Sequence, residues 1–149
     1  MSIEVEVQIA STASDIPDAS TLKSWLQHAL AQRYTQGEVC LRIVDEEEIA
    51  ELNQTYRQKA GPTNVLSFPC ELMADEDYPL LGDIVISAPT VRQEAAAQHK
   101  DLNAHWAHLI IHGSLHLLGY DHIKDEEAAK MEALEIELLN TLHFPNPYK

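Results

Sequence analysis

The chain has 149 residues, a length that suits one domain with a buried core and no need of staples. Hydrophobic residues make up 45% and charged residues 23%, which excludes collagen, low-complexity disorder and coiled coil. Ten Lys and Arg face 24 Asp and Glu, a formal charge of −14, which excludes a protein that coats nucleic acid or an anionic membrane by bulk attraction.

Ile3, Val5, Val7 and Ile9 alternate with Glu4, Glu6 and Gln8, the period-two pattern of a half-buried strand. Ser20 or Thr21 is expected to cap a helix that carries Leu22, Trp25, Leu26 and Ala29 on one face. A second strand, Val39–Val44, runs into the acidic Asp45–Glu48, which reads as the first turn of a helix containing Ile49 and Leu52. Lys59–Thr63, with Gly61 and Pro62, breaks that helix. Val65–Phe68 is a short strand stopped by Pro69, Glu71–Tyr78 an acidic loop, and Leu81–Ser87 a further strand. Ser87 then caps a helix that tolerates Pro89 in its first turn and runs to about His99. Asn103–Leu118 is a strongly apolar helix and Asp125–Leu142 an amphipathic one. The expected fold is α+β: a single domain over residues 1–149, with a mixed sheet of about four strands packed with about five helices.

Cys40 and Cys70 make neither a CxxC nor a disulfide framework and are expected to be inert thiols in a reducing compartment. The opening MSIEVEVQIA lacks the basic and apolar regions of a signal peptide, and no run approaches the ~18 apolar residues of a membrane span. A cytoplasmic protein is expected.

The chemistry concentrates in AHWAHLIIHGSLHLLGYDH, Ala104–His122. His112 and His116 are four residues apart in a helical stretch, which puts both imidazoles on one face, one turn apart. Two histidines at that spacing can share one metal ion. Gly119 suits the positive φ of a helix end, so the chain can reverse there and return His122 toward the pair. Three imidazoles with one coordination position open are the mark of a catalytic site and suit one zinc ion, though copper, nickel or iron could bind the same set.

The HxxxHxxGxxH spacing is metzincin-like. Those peptidases carry HExxH, whose Glu is the general base, and here that position is Gly113, which cannot accept a proton. A base must come from elsewhere. Asp121 is a candidate, equally readable as a turn carboxylate or a partner to a ligand imidazole. His105 and His108 lie on roughly the same side of the helix but exceed the needs of one ion; His108 is expected to line the pocket or orient a ligand. Arg57 stands beside the Gly61–Pro62 turn in a chain poor in cations. It could fork onto a phosphodiester, or simply favour the C-terminal dipole of its helix.

HGSLHLLGYDH, His112–His122, resembles the signature of the YbeY endoribonuclease (rRNA maturation factor) family. The resemblance extends to Leu52–Pro69, Pro79–Ser87, Ala104–His108 and Met131–Glu135, and departs at Ala60, where many members carry aspartate. It implies a small α+β fold holding one zinc ion through His112, His116 and His122, with Arg57 as the functional arginine and His112 and Arg57 at the catalytic centre. It further implies a zinc-dependent, single-strand-specific endoribonuclease that matures the 3′ end of 16S rRNA and takes part in ribosome quality control. The partners implied are single-stranded RNA or rRNA and the small subunit with its proteins, with neither membrane nor DNA. Two other functions fit parts of the pattern. One is a metallohydrolase on peptides or small esters, against which Gly113 stands; the other is a non-catalytic ribosome assembly factor whose zinc is structural.

Overall fold

The computed structural model describes residues 3–61, 63–69, 80–120 and 124–148. In chain order the elements are β1 (Ile3–Ile9), α1 (Ala19–Leu30), β2 (Gly37–Val44), α2 (Glu46–Arg57), β3 (Val65–Pro69), β4 (Leu80–Ser87), α3 (Ala88–Ala97), α4 (Leu102–Leu117) and α5 (Asp125–Thr141). The four strands form one mixed sheet in the order β1-β2-β4-β3. β1 pairs parallel with β2, and β2 with β4, whereas β3 runs antiparallel to β4, with Val65 opposite Ile86 and Pro69 opposite Gly82. Among the described residues the α+β expectation, with four strands and five helices, holds.

Alternation along the strands decides which face is covered. Val39, Leu41 and Ile43 of β2 and Ile84 and Ile86 of β4 point into the main core with Leu22, Leu26, Trp106, Ile110 and Ile111. Helices α1 and α4 cover that face, and α5 packs on α4. On the opposite face, Val85, Leu66 and Val44 meet Ile49 beneath α2, a smaller cluster flanked by Leu52 and Phe68. Helix α4 is buried nearly all round, as expected for a helix apolar on every side. No helix among the described residues is long and apolar enough to cross a membrane.

Two local expectations need comment. The cap of α1 is Asp18, not Ser20 or Thr21, because the Asp18 carbonyl already accepts from Leu22 N–H and winds the first turn earlier. The cap of α3 is Ser87 as read, its hydroxyl accepting from Thr90 N–H. Cys40 is half-buried and free; Cys70 lies outside the described residues.

Candidate functional site

The site is built around α4. Asp101 caps its start by accepting from Ala104 N–H at 3.1 Å. Its end is closed by Gly119, at φ +99°, while Tyr120 N–H bonds back to the Leu115 carbonyl and Arg33 donates to the carbonyl of Leu118 at 2.9 Å. The chain therefore turns after His116 where the sequence predicts. His122 and Asp121 lie outside the described residues.

His105, His108, His112 and His116 make one stripe along this helix, and each meets different partners. His105 is buried and its Nε2 pairs with Glu94 at 2.9 Å. His108 Nε2 lies 3.4 Å from Glu135 Oε1 and 3.3 Å from the Tyr148 hydroxyl. His112 Nδ1 sits 2.6 Å from Glu135 Oε1, and His112 Nε2 lies 3.1 Å from His116 Nε2.

Glu135 organises this end of the stripe. Its side chain is fully buried on the face of α5 that carries Met131, Leu138 and Leu139. Burial alone would raise its pKa, but hydrogen bonds from His108, His112 and Tyr148 outweigh it and bring the value to about 2. An ionised carboxylate can only accept, so the proton between it and His112 belongs to Nδ1. In a neutral ring that leaves the lone pair on Nε2, the atom turned toward His116. A histidine so held is oriented to bind metal.

The two imidazoles open onto a cavity of about 540 Å³ that is also lined by Arg57, Asn64, Ser67 and Tyr120. Arg57 reaches it from the last turn of α2. The αL residue Gln58 ends that helix, Lys59 N–H bonds back to Asn53 O, and buried Asn53 clamps the Gly61 carbonyl at 3.0 Å. Arg57 thus occupies the helix C-terminus and also lines the cavity.

Gly113 has a separate job. A Cβ there would lie 3.2 Å from Ile84 Cγ2 and Ser67 Oγ and 3.3 Å from Val65 Cγ2, so this position packs tightly against β3 and β4. Ser67 donates to the Gly113 carbonyl at 3.0 Å and ties β3 to the helix. Any larger side chain at 113 would need these neighbours to give by a few tenths of an ångström.

Arg57, His112 and His116 thus share one cavity. His108, Glu135 and Tyr148 join them from behind, and of these the sequence reading weighed only His108. The signal for Glu135 is a carboxylate at an apolar position of α5, in register with Met131 and Leu138. His108, His112 and Glu135 each offer an atom within 4.8 Å of the others and could hold a metal ion. His112 Nε2 and His116 Nε2 also face each other on the cavity side.

A family model described as endoribonuclease YbeY matches residues 6–143. The chain belongs to the endoribonuclease YbeY family. A curated endoribonuclease YbeY of Stutzerimonas stutzeri is 57% identical over 98% of this chain and 91% of its own length. Its counterpart in Pseudomonas putida is 56% identical, covering 98% and 93%. The solution structure of TM1509 from Thermotoga maritima is similar with a TM-score of 0.59 and 27% identity, over 92% of this chain and 91% of that one. Membership of this family supports an endoribonuclease role.

Proposed function

We propose that this chain is a zinc-dependent endoribonuclease acting on single-stranded RNA, within maturation of the 16S rRNA 3′ end and ribosome quality control in the cytoplasm. Residues 1–149 act as one domain, and one zinc ion is held by His112, His116 and His122. The observation that carries this reading is the meeting of Arg57, His112 and His116 at one cavity, in a chain whose relatives are named endoribonucleases.

The roles follow from the chemistry of the side chains. Arg57 forks onto the phosphodiester with its guanidinium, offsetting the charge that builds on the phosphate oxygens as the bond breaks. Glu135 fixes the His112 ring through Nδ1, so that Nε2 remains a donor atom on the cavity side. A bound zinc supplies Lewis acidity at the phosphodiester. The side chains of Ser67 and Asn64 add polar contacts to the cavity wall. Asp121 is a candidate general base.

Gly113 favours RNA over peptides as substrate, since the position used by the base of HExxH peptidases is pressed against β3 and β4. With a net charge of −14 the surface offers little attraction to free RNA, which favours a substrate presented by the assembled small subunit and its proteins.

The test is cleavage of a single-stranded RNA by wild type, Arg57→Ala and His116→Ala, with zinc content measured in each. Arg57→Ala is expected to keep its zinc and lose about 10²–10³-fold in rate, as for removal of one stabilising donor. His116→Ala is expected to lose both zinc and cleavage. Retention of both by His116→Ala overturns the reading.

A further inference from the structure

Beyond Leu142 the chain folds back over its own helices. Phe144 N–H bonds to the Leu139 carbonyl at 2.9 Å, and the Phe144 ring packs edge-on against Trp25 with centroids 5.7 Å apart. Lys100 Nζ donates to the Pro147 carbonyl at 2.8 Å, and Tyr148 N–H to Asn146 Oδ1 at 2.8 Å. These anchors lay the Tyr148 ring edge-on against His108, 5.4 Å between centroids, and deliver its hydroxyl to Glu135 Oε2.

We propose that Tyr148 is a positioning residue for the metal centre: its hydroxyl holds Oε2 of Glu135 so that Oε1 stays on His112 Nδ1–H and the Nε2 lone pair of His112 stays turned to the cavity. The proposal rests on the zinc reading given above for the role of His112, but not for the contacts themselves.

The physical case is one of satisfied acceptors. A fully buried carboxylate needs a donor at each oxygen, and Glu135 has Tyr148 at Oε2 and His112 at Oε1. A further donor within reach is His108 Nε2, 3.4 Å from Oε1. Without the hydroxyl, Oε2 is buried and unpaired. Rotation of the carboxylate then shares it between His108 and His112, and the hold on His112 Nδ1–H is lost. Either nitrogen of that ring can then carry the proton, and whenever Nε2 carries it the ring cannot bind metal there. Removing such a supporting partner typically weakens metal binding 10- to 100-fold.

Tyr148→Phe isolates the hydroxyl, because it keeps the ring against His108 and the backbone anchors at Lys100 and Asn146. The first readout uses full-length, metal-free protein: the long-range ¹H–¹⁵N correlations of the His112 ring. Wild type is expected to show one tautomer with the proton on Nδ1, and Tyr148→Phe a mixture of the two. The second is zinc affinity by competition with a chelator, expected to fall about 10-fold or more in the variant. An unchanged His112 pattern in Tyr148→Phe overturns the proposal. If wild type binds no zinc while the variant still shifts the tautomer, the zinc reading fails and the hold of Tyr148 on His112 stands.

Discussion

Two of the histidine–carboxylate pairs on helix α4 use opposite sides of the ring. At one end His105 engages Glu94 through Nε2 and leaves its Nδ1 buried without a partner among the described residues. At the other, His112 engages Glu135 through Nδ1 and leaves Nε2 at the cavity, facing His116. The carboxylates differ as well: the side chain of Glu94 is 31% exposed and also accepts from Asn64, whereas that of Glu135 is fully buried. The same two residue types thus make a brace in one place and a presented donor atom in the other. What separates them is which ring nitrogen the carboxylate takes.

Removing the carboxylate at the cavity end is expected to have the largest effect. Glu135→Ala should weaken zinc binding 10- to 100-fold, measured by chelator competition, because His112 loses its fixed tautomer. Next comes Gly113, beside the cavity-end pair. Gly113→Ala forces a methyl into contacts of 3.2–3.3 Å with Ile84, Ser67 and Val65 and should cost about 1–3 kcal/mol in urea unfolding. His105→Leu should cost only about 1 kcal/mol, since the lost hydrogen bond is partly offset by removal of the unpartnered Nδ1, and it should leave zinc affinity unchanged. A tenfold loss of zinc in that variant would erase the contrast between the two ends.

The smallest effect is one of pH. Hydrogen bonding to His105, and then to Asn64, holds the Glu94 carboxyl below its ordinary value despite burial. Its contribution to stability is therefore present above the unfolded carboxylate range of about 4.3 and is lost as pH falls through the folded value. Glu94→Gln should unfold in urea more easily than wild type at neutral pH, with the difference shrinking under acid.

Much of this architecture was legible before any coordinates. The alternation of β1, the acidic first turn of α2, Ser87 ahead of Pro89 and the four-residue step from His112 to His116 are all local patterns, and local patterns leave a periodic trace. The start of α1 slipped by two or three residues because Asp18, Ser20 and Thr21 are all capping types and only a backbone carbonyl decided among them. Glu135 escaped for a different reason. Periodicity marks a helix face as buried but does not say what lies opposite, and its partner His112 is 23 residues away. Tyr148 sits in FPNPY, a stretch with no period at all, so nothing short of the folded chain brings it to a carboxylate. Arg57 was visible but ambiguous, since a cation that ends a helix and one that also lines a cavity leave the same local trace.

The four-residue spacing of His112 and His116 also bears on folding thermodynamics. Both belong to one turn of one helix, so they stay near each other whenever that short segment is helical, whether or not the sheet and α5 are in place. On the zinc reading proposed above, the ion would bind partly unfolded chains as well as native ones. Affinity shared between the two states does not favour either, and only the excess contributed by distant supports such as Glu135 raises the melting temperature. Zinc should therefore shift the thermal midpoint by less than its native-state Kd implies, and that deficit gauges how much of the binding is local to the helix.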